Sequence, residues 1–377
     1  MLIALIGPPG AGKASVASYL GTQLGFHLLA LTSATTPIRP LSNLNASTDM
    51  TALSSSKEML DYVTDRWNQC FVTLDLDTSA DIEAFIKRPF FLCVEVGGPL
   101  LTRWSRWKEK HGEIRLEEFV ALDDRVSFGP GSSTPTSPAT GIKTGSSTMA
   151  SSKSSSSLLT GGDGILGTTL SHTHTEHTST SSSLGLSALR RYVHLSIMND
   201  HLTLPALHSH LSSLHLPSEE RLRPGWDTYF LRLCNLASLR SNCMKRRVGA
   251  VLVSSNRILA TGYNGTPSGL ANCNQGGCPR CNNTLGNSGR GQNLEECLCL
   301  HAEENALLEA GRAKLAGGVG GGATMYCNTC PCLRCAVKII QTGIKKVVYQ
   351  LEYSMDEKTK GLMREAGVEI RQIHLDP

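Results

Sequence analysis

The amino-acid sequence predicts an α/β protein of two domains. It begins with an apolar strand, LIALI, which is followed by a glycine-rich turn and a helical pattern from Lys13 to Leu24. From Trp226 onward, helix and strand patterns alternate over about 150 residues, a usual size for one independent domain. The whole chain has 377 residues, which is more than one hydrophobic core usually organises.

The first domain is predicted to span residues 1–217. The buried run FFLCVEVGG at 90–98 continues the βα alternation of a parallel sheet, and RRYVHLSIMND and LPALHSHLSSL predict a further strand and helix. A Ser/Thr/Gly-rich tract at 129–185 interrupts this domain. Because the tract has almost no large apolar residues, we expect it to be disordered.

The second domain is predicted to span residues 224–377. It holds 18 Lys and Arg against 12 Asp and Glu, a net charge of +6, whereas the remaining 18 basic and 20 acidic residues give −2. A mild positive charge suits an anionic small molecule. The absence of a basic stretch interleaved with aromatic residues argues against a nucleic-acid substrate.

The opening residues and the cysteines of the sequence indicate the cellular compartment of the protein. The apolar opening is only five residues long before Pro8, so we expect neither a secretory signal nor a membrane span. Thirteen cysteines with repeated C-x-x-C spacing indicate reduced thiols and bound metal. We therefore expect a cytoplasmic protein without a membrane partner, with the nucleus as a further location.

The stretch GPPGAGKAS at 7–15 matches half of a phosphate-binding loop. Gly7, Gly12 and Lys13 stand where backbone N–H groups and an ammonium contact phosphate oxygens. Ala14 replaces the Ser or Thr that would bind Mg²⁺, and Glu95 stands where an Asp is expected after the buried strand. These departures favour a degenerate domain used for regulation or assembly.

The first domain also resembles a dephospho-CoA kinase or nucleoside monophosphate kinase, through the loop, VGGPLL, EEFVALDDR and the late VHLSIMND strand. Arg103 and Arg106 are candidates for remnants of phosphate-binding arginines. Two alternatives stay open for this domain. One is a working kinase, and the other is a nucleotide sensor that needs Lys13 but no ordered Mg²⁺.

Two motifs of the second domain carry the chemistry. His301 and Glu303 lie in LHAEENALLEAG at 300–311, and Cys332 and Cys335 lie in CNTCPCLRC at 327–335. Together they satisfy H-x-E followed by P-C-x-x-C, the signature of zinc nucleobase deaminases. One His and two Cys supply three zinc ligands and leave a fourth position for water, whose pKa zinc lowers towards about 7.

Carboxylates and further cysteines flank these ligands. Glu303, at a helix start that we expect to be exposed, is placed to act as general acid and base rather than as a ligand. Glu304, the next residue, is turned about 100° around the helix axis from Glu303. It is interpreted as a first-turn carboxylate that complements the helix dipole. Cys327 and Cys330 form a competing C-x-x-C pair, for which we favour packing or supporting roles.

Six stretches extend the signature: RSNCMKRRVGAVLV, ATGYNGTPSG, NQGGCPRCN, CLCLHAEENALLEAGR, CPCLRCAVKIIQTGIKKVVY and MREAGVEIRQ. With these, the region from about Tyr229 to Ile373 resembles the deoxycytidylate (dCMP) deaminases of the fungal type. The resemblance implies a three-layer α/β/α, cytidine-deaminase-like fold, which here follows a P-loop kinase-like α/β domain. It further implies hydrolysis of dCMP to dUMP and ammonia, which feeds thymidylate synthesis.

The resemblance also implies roles for residues. Zinc is held by His301, Cys332 and Cys335, while Glu303 protonates the base and then the leaving amine. The implied substrate contacts are Asn264, Ala302 and Tyr353. Read without the family, GYNGTPSG is a turn that would end any strand, and Tyr353 suits a core or rim position equally well.

A cysteine-rich loop predicts a second, structural zinc. Its density of cysteines among Gly and Asn favours metal over free thiols, and the resemblance adds Cys243 as a distant ligand. Spacing does not choose four ligands among the six candidates, which are Cys243, Cys273, Cys278, Cys281, Cys297 and Cys299.

Regulation and assembly are expected from the resemblance alone. The family is typically a homohexamer that is activated by dCTP and inhibited by dTTP, with Mg²⁺ accompanying these nucleotides and the GYNG-P region near the effector. Three alternative functions stay open: deamination of another cytosine nucleoside or nucleotide, an additional kinase or nucleotide-binding activity in the first domain, and a non-catalytic zinc scaffold.

Overall fold

The structure is a computed structural model, and its chain divides into two compact units, Met1–Pro217 and Ser218–Pro377. The residues that it describes are 1–32, 50–129, 185–282, 297–316, 322–352 and 356–375. Apart from its two end residues, the Ser/Thr/Gly-rich tract lies outside these ranges, and so does Tyr353.

The first unit is built around a parallel sheet. Its described strands are β1 (Leu2–Ile6), β2 (His27–Leu31), β3 (Met50–Leu53), β4 (Phe71–Thr73), β5 (Phe91–Gly97) and β6 (Leu195–Met198). They lie in the order β3-β2-β4-β1-β5-β6, and all of their pairings are parallel. All five side chains of β1 are buried, as expected for an apolar strand inside a parallel sheet.

Helices connect these strands. In the described part of the unit they are α1 (Lys13–Leu24), α2 (Ser56–Asp65), α3 (Ser79–Phe85), α4 (Leu100–His111), α5 (Leu116–Phe128), α6 (Leu186–Leu189) and α7 (Leu204–Ser213). α1 begins at Lys13 and ends at Leu24, as the sequence pattern predicts. The alternation of strands and helices confirms the α/β class of this unit.

The turn between β1 and α1 needs glycine because it passes close to other backbone. Gly7 and Gly10 have φ angles of 146° and 71°. A Cβ on Gly7 would lie 2.1 Å from the Val96 carbonyl oxygen, and one on Gly10 would lie 2.3 Å from the Arg103 carbonyl oxygen. The turn is thereby packed against β5 and α4.

The second unit has a mixed sheet. Its described strands are β7 (Gly249–Ser254), β8 (Arg257–Tyr263), β9 (Ala323–Thr329), β10 (Lys346–Leu351) and β11 (Glu369–Gln372), and its described helices are α8 (Trp226–Ser238), α9 (Ala302–Ala316), α10 (Leu333–Gln341) and α11 (Asp356–Glu365). The strand order is β11-β10-β9-β7-β8. β7 is antiparallel to both of its neighbours, and the pairings of β10 with β9 and β11 are parallel.

Alternate residues of β7 enter two hydrophobic cores. Ala250 and Leu252 belong to one core with residues of α9, α10 and α11, whereas Val251 and Val253 belong to the other with residues of α8. Because successive side chains of a strand point to opposite faces, helices cover both faces of the sheet. This confirms the predicted three-layer α/β/α fold.

None of the described helices combines the length and the apolar character needed to cross a membrane.

Candidate active site and cysteine cluster

The three predicted ligands of the catalytic zinc lie at the starts of two helices. His301 immediately precedes α9, and its carbonyl oxygen accepts a hydrogen bond from the Asn305 N–H at 3.0 Å. Cys332 is the N-cap residue of α10, and Cys335 lies in the first turn of that helix. Because α9 and α10 pack on the same face of the sheet, the fold brings the two motifs together.

The distances among the three donors fit a zinc ion. His301 Nδ1 lies 3.3 Å from Cys332 Sγ and 3.3 Å from Cys335 Sγ. Tetrahedral zinc with Zn–N and Zn–S bonds of about 2.1 and 2.3 Å would separate nitrogen and sulfur by about 3.6 Å. The hydrogen bond from Cys335 lowers the pKa of the Cys332 thiol to about 4 and raises the pKa of Cys335 itself, so this contact favours the thiolate form of one of the two cysteines.

Glu303 is buried beside these donors. The residue is 3% exposed, so the expectation of an exposed side chain is wrong: the first turn of α9 packs onto the sheet instead of facing water. Burial raises the pKa of the Glu303 carboxyl, and the nearby His301 opposes this rise. A carboxyl with a raised pKa keeps its proton up to a pH closer to neutral, and this suits it to general acid catalysis.

Glu304 joins the two helices that carry the metal donors. One of its carboxylate oxygens accepts a hydrogen bond from the backbone N–H of His301 at 3.0 Å. The other forms an ion pair with Lys338 of α10. Glu304 thus lies in the first helical turn, as predicted, and in addition connects the start of α9 to α10.

Two backbone contacts set the position of the α9 N-terminus. Leu300 and Gly265 exchange hydrogen bonds of 2.9 and 3.2 Å, which pair the GYNG turn with the residue before His301. In β8, a Cβ on Gly262 would lie only 2.0 Å from the Ala302 carbonyl oxygen. Only glycine permits this approach of β8 to α9, so Gly262 supports the site without touching the donors.

The predicted substrate residues occupy different settings. Asn264 is 7% exposed; its Oδ1 accepts a hydrogen bond from the Val248 N–H and its Nδ2 donates one to the Arg246 carbonyl oxygen, both at 2.8 Å. The side chain of Ala302 is fully buried. Tyr353 lies outside the described residues. Asn264 therefore holds in place the basic segment Lys245-Arg246-Arg247, which precedes β7.

A cavity of about 390 Å³ lies at the GYNGTPSG turn. Its lining includes the side chains of Asn242, Thr266, Asn272 and Asn305, together with Leu300. The volume falls within the range of about 300–1,000 Å³ that is usual for small-molecule sites. The three metal donors are not among its lining residues.

The six candidate ligands of a second zinc form one cluster. Four of them are 8% exposed or less, namely Cys273, Cys278, Cys281 and Cys299, and Cys243 and Cys297 are partly buried. None of the 13 cysteines of the chain forms a disulfide.

Cys327 and Cys330, the competing C-x-x-C pair, lie outside this cluster. They are buried among apolar residues of the core, in agreement with the packing role favoured for them.

The three donors lie within the part of the chain that matches a known family model. Residues 224–351 match the family model of the cytidine and deoxycytidylate deaminase zinc-binding region. A deoxycytidylate deaminase of Schizosaccharomyces pombe is 38% identical over 378 residues, which cover 98% of this chain and 96% of that protein.

The chain belongs to the deoxycytidylate deaminase family. The deoxycytidylate deaminase of Saccharomyces cerevisiae is also 38% identical, over 85% of this chain and 86% of that protein. The deoxycytidylate deaminase of Mycobacterium phage D29 is 42% identical over 132 residues, which are 34% of this chain and 98% of the phage protein. The phage relative is therefore too short to contain both units.

In this member of the deoxycytidylate deaminase family, the lysine of the phosphate-loop sequence contacts its own turn. Lys13 Nζ donates hydrogen bonds to the carbonyl oxygens of Gly7 and Pro8, at 2.5 and 3.1 Å. A Cβ on Gly12 would lie 2.4 Å from Asn199 Nδ2, so a side chain of the unit occupies the space beside the turn.

The two candidate phosphate-binding arginines are engaged within the unit. The buried Arg103 guanidinium donates to the carbonyl oxygens of Gly98 and Pro9 and forms a two-point ion pair with Asp123, with a shortest distance of 2.6 Å. Arg106 donates to the carbonyl oxygen of His201 at 2.6 Å. Both arginines therefore connect α4 to neighbouring segments.

Proposed function

We propose that the second unit hydrolyses dCMP to dUMP and ammonia. The observation that carries this proposal is the buried Glu303 carboxyl next to three converging metal donors, His301, Cys332 and Cys335. The family match over residues 224–351 and the short phage relative support placing the reaction in this unit.

The chain's own residues supply proton transfer and binding. When bound at the three donors, zinc supplies a Lewis acid that makes water acidic enough to attack an electron-poor ring carbon at neutral pH. Glu303 takes a proton from the attacking water and delivers protons to N3 of cytosine and to the departing amine. Water is thereby consumed, the exocyclic amine leaves as ammonia, and uracil carries the new oxygen.

Recognition of the nucleotide is assigned to the segments around this carboxyl. Asn264, Ala302 and Tyr353 are proposed to contact the substrate. The hydrogen bond from Asn264 to Arg246 holds a basic segment that could neutralise the 5′-phosphate. The requirement for this phosphate separates dCMP from deoxycytidine, whereas CMP differs from dCMP only by its 2′-hydroxyl.

A substrate panel tests the proposal. We expect kcat/KM for dCMP to exceed that for deoxycytidine by at least about 10-fold, because one charge-assisted hydrogen bond contributes about 1.5–3 kcal/mol. Ammonia release and the loss of cytosine absorbance are measured with dCMP, CMP, deoxycytidine and dCTP. Faster turnover of deoxycytidine or CMP would assign the site to another cytosine compound.

Activation by dCTP, inhibition by dTTP and a hexameric assembly are also part of the proposal. The polar cavity at the GYNGTPSG turn supports the effector part of this proposal, because its amide-bearing lining residues suit a nucleotide. Mg²⁺ is proposed to bind only together with dCTP or dTTP. The same panel is repeated with each effector, and sedimentation velocity reports the assembly.

The cysteine cluster is proposed to hold structural zinc. The five cysteines of the loop between β8 and α9, together with Cys243 before β7, would otherwise be buried or partly buried thiols without a covalent or metal partner. Bound metal would supply folding free energy to the connection between β8 and α9.

We also propose a reducing location, the cytoplasm or the nucleus. The absence of disulfides among the 13 cysteines supports it.

For the first unit we propose a degenerate phosphate loop that serves regulation or assembly and not phosphoryl transfer. Ala14 offers no oxygen for Mg²⁺, and the engaged arginines Arg103 and Arg106 support the same view. A nucleotide sensor stays compatible with this proposal, because Lys13 could exchange its carbonyl partners for phosphate.

Replacing Lys13 with alanine tests this role. Because Lys13 and Glu303 lie in separate compact units, kcat/KM for dCMP should stay within about twofold of the wild-type value without effectors. ATP turnover by the wild-type chain should not exceed background with nucleotide or CoA-precursor acceptors. ATP turnover that disappears in Lys13→Ala would instead establish a kinase.

A further inference from the structure

The six cysteines of the cluster form two overlapping sets of four. The first set contains Cys243, Cys273, Cys281 and Cys299, and the second contains Cys278, Cys281, Cys297 and Cys299. Within each set, all sulfur atoms lie within 4.8 Å of one another. Cys281 and Cys299 belong to both sets.

We propose that the cluster binds two zinc ions bridged by the thiolates of Cys281 and Cys299. Each ion then has four sulfur ligands, two shared and two of its own. The inference deepens the structural zinc role proposed above and rests on it, but it does not depend on the identity of the deaminase substrate.

The sulfur separations match the edges of zinc tetrahedra. A Zn–S bond of about 2.3 Å gives tetrahedral S···S edges of about 3.8 Å. In the first set, Cys243 lies 3.8 Å from Cys281. In the second, Cys297 lies 3.7 Å from Cys281 and 3.9 Å from Cys278. The shared edge between Cys281 and Cys299 measures 4.0 Å.

A single ion would leave part of this arrangement unexplained. Zinc in the first set leaves Cys278 and Cys297 as thiols at contact distance from a ligand, and zinc in the second leaves Cys243 and Cys273 in the same position. Two ions use all six sulfurs. Two Zn²⁺ with six thiolates and one Zn²⁺ with four thiolates both carry a net charge of −2, so charge does not oppose the second ion.

The surrounding chain suits an anionic cluster that is built in place. The Met244 N–H donates a hydrogen bond to Cys273 Sγ at 3.4 Å. Arg280, between two ligands in sequence, is 7% exposed, so the loop buries a cationic residue. The Asn282 amide donates to the carbonyl oxygens of Cys273 and Cys278, at 2.8 and 2.9 Å, and braces the loop that carries them.

Metal counting on the full chain tests the inference. We expect inductively coupled plasma mass spectrometry to find three zinc ions per wild-type chain, one at His301, Cys332 and Cys335 and two in the cluster. Cys332→Ser should retain two. Two zinc ions in the wild type and one in Cys332→Ser would overturn the bridged pair but keep a structural zinc. One zinc ion in the wild type and none in Cys332→Ser would overturn the structural zinc role as well.

Single substitutions separate the two sets. Cys243→Ser and Cys297→Ser each remove an unshared ligand of a different set, so each should reduce the zinc content by one. If only one set binds metal, one of these variants will keep the wild-type content, which overturns the proposal. Cys70→Ser, in the first unit and outside both sets, is the matched control and should change nothing.

A readout on the unaltered chain covers the case in which a variant does not fold. After exchange of zinc for Co²⁺, two thiolate-bridged high-spin ions couple magnetically, so the paramagnetic resonance signal per cobalt should be lower than for isolated ions. A full signal from every cobalt would overturn the bridge. Iron in place of zinc, found by the same mass spectrometry, would overturn the identity of the ion.

Discussion

Replacing Glu303 with glutamine should lower the rate of dCMP deamination by about 10²- to 10⁴-fold, the contribution typical of a positioned general acid or base. Glutamine keeps the size of the buried side chain but carries no transferable proton. The zinc content should not change, because Glu303 is not one of the three converging donors. Single-turnover rates and zinc analysis on the same preparation measure both quantities.

Glu309→Gln is the matched control for this variant. Glu309 lies on the same helix, α9, but is exposed, so its replacement should leave rate and zinc content at the wild-type values. Full activity of Glu303→Gln would refute the proposed proton transfer. A loss of zinc in that variant would show instead that Glu303 supports the metal.

Replacing Cys332 with serine should remove one zinc per chain and lower the deamination rate by about 1,000-fold or more. A serine hydroxyl is a poor replacement for a thiolate as a zinc ligand, so the metal is lost. Zinc contributes several kcal/mol of transition-state stabilisation, and a 1,000-fold decrease in rate corresponds to about 4 kcal/mol. The measurements are zinc content and the rate at saturating dCMP.

Cys330→Ser distinguishes the two C-x-x-C pairs of CNTCPCLRC. Cys330 is 4% exposed and packs in the apolar core, so its replacement should affect thermal stability while keeping the zinc ion and the rate. The opposite result, with zinc lost from Cys330→Ser and kept in Cys332→Ser, would assign the metal to the other pair.

The sequence predicted those parts of the site that depend on short-range patterns. H-x-E and P-C-x-x-C fix residue types within one helical turn, and each motif opens a helix as expected. Gly262 was not identified, because its requirement for glycine arises from the approach of β8 to α9, residues that are 40 apart in sequence. A strand glycine two residues before the Asn-Gly turn was the available signal.

Other features depend on three-dimensional pairing that spacing does not encode. The sequence offered six cysteines and no way to choose four of them, and the structure shows that two belong to both sets. The burial of Glu303 was also missed, because a charged residue at a helix start is usually exposed. The partners of Lys13, the carbonyl oxygens of Gly7 and Pro8, follow from the shape of the turn.

The contact of Glu304 with both the His301 N–H and Lys338 bears on which metal the chain selects. Since one carboxylate connects the segments that carry the imidazole and the thiolates, it helps to fix the spacing of the three donors. A group of one nitrogen and two sulfurs is a poor match for cations that prefer six oxygen ligands, such as Mg²⁺ and Ca²⁺. We therefore expect these abundant cellular cations to compete poorly with zinc for the three donors.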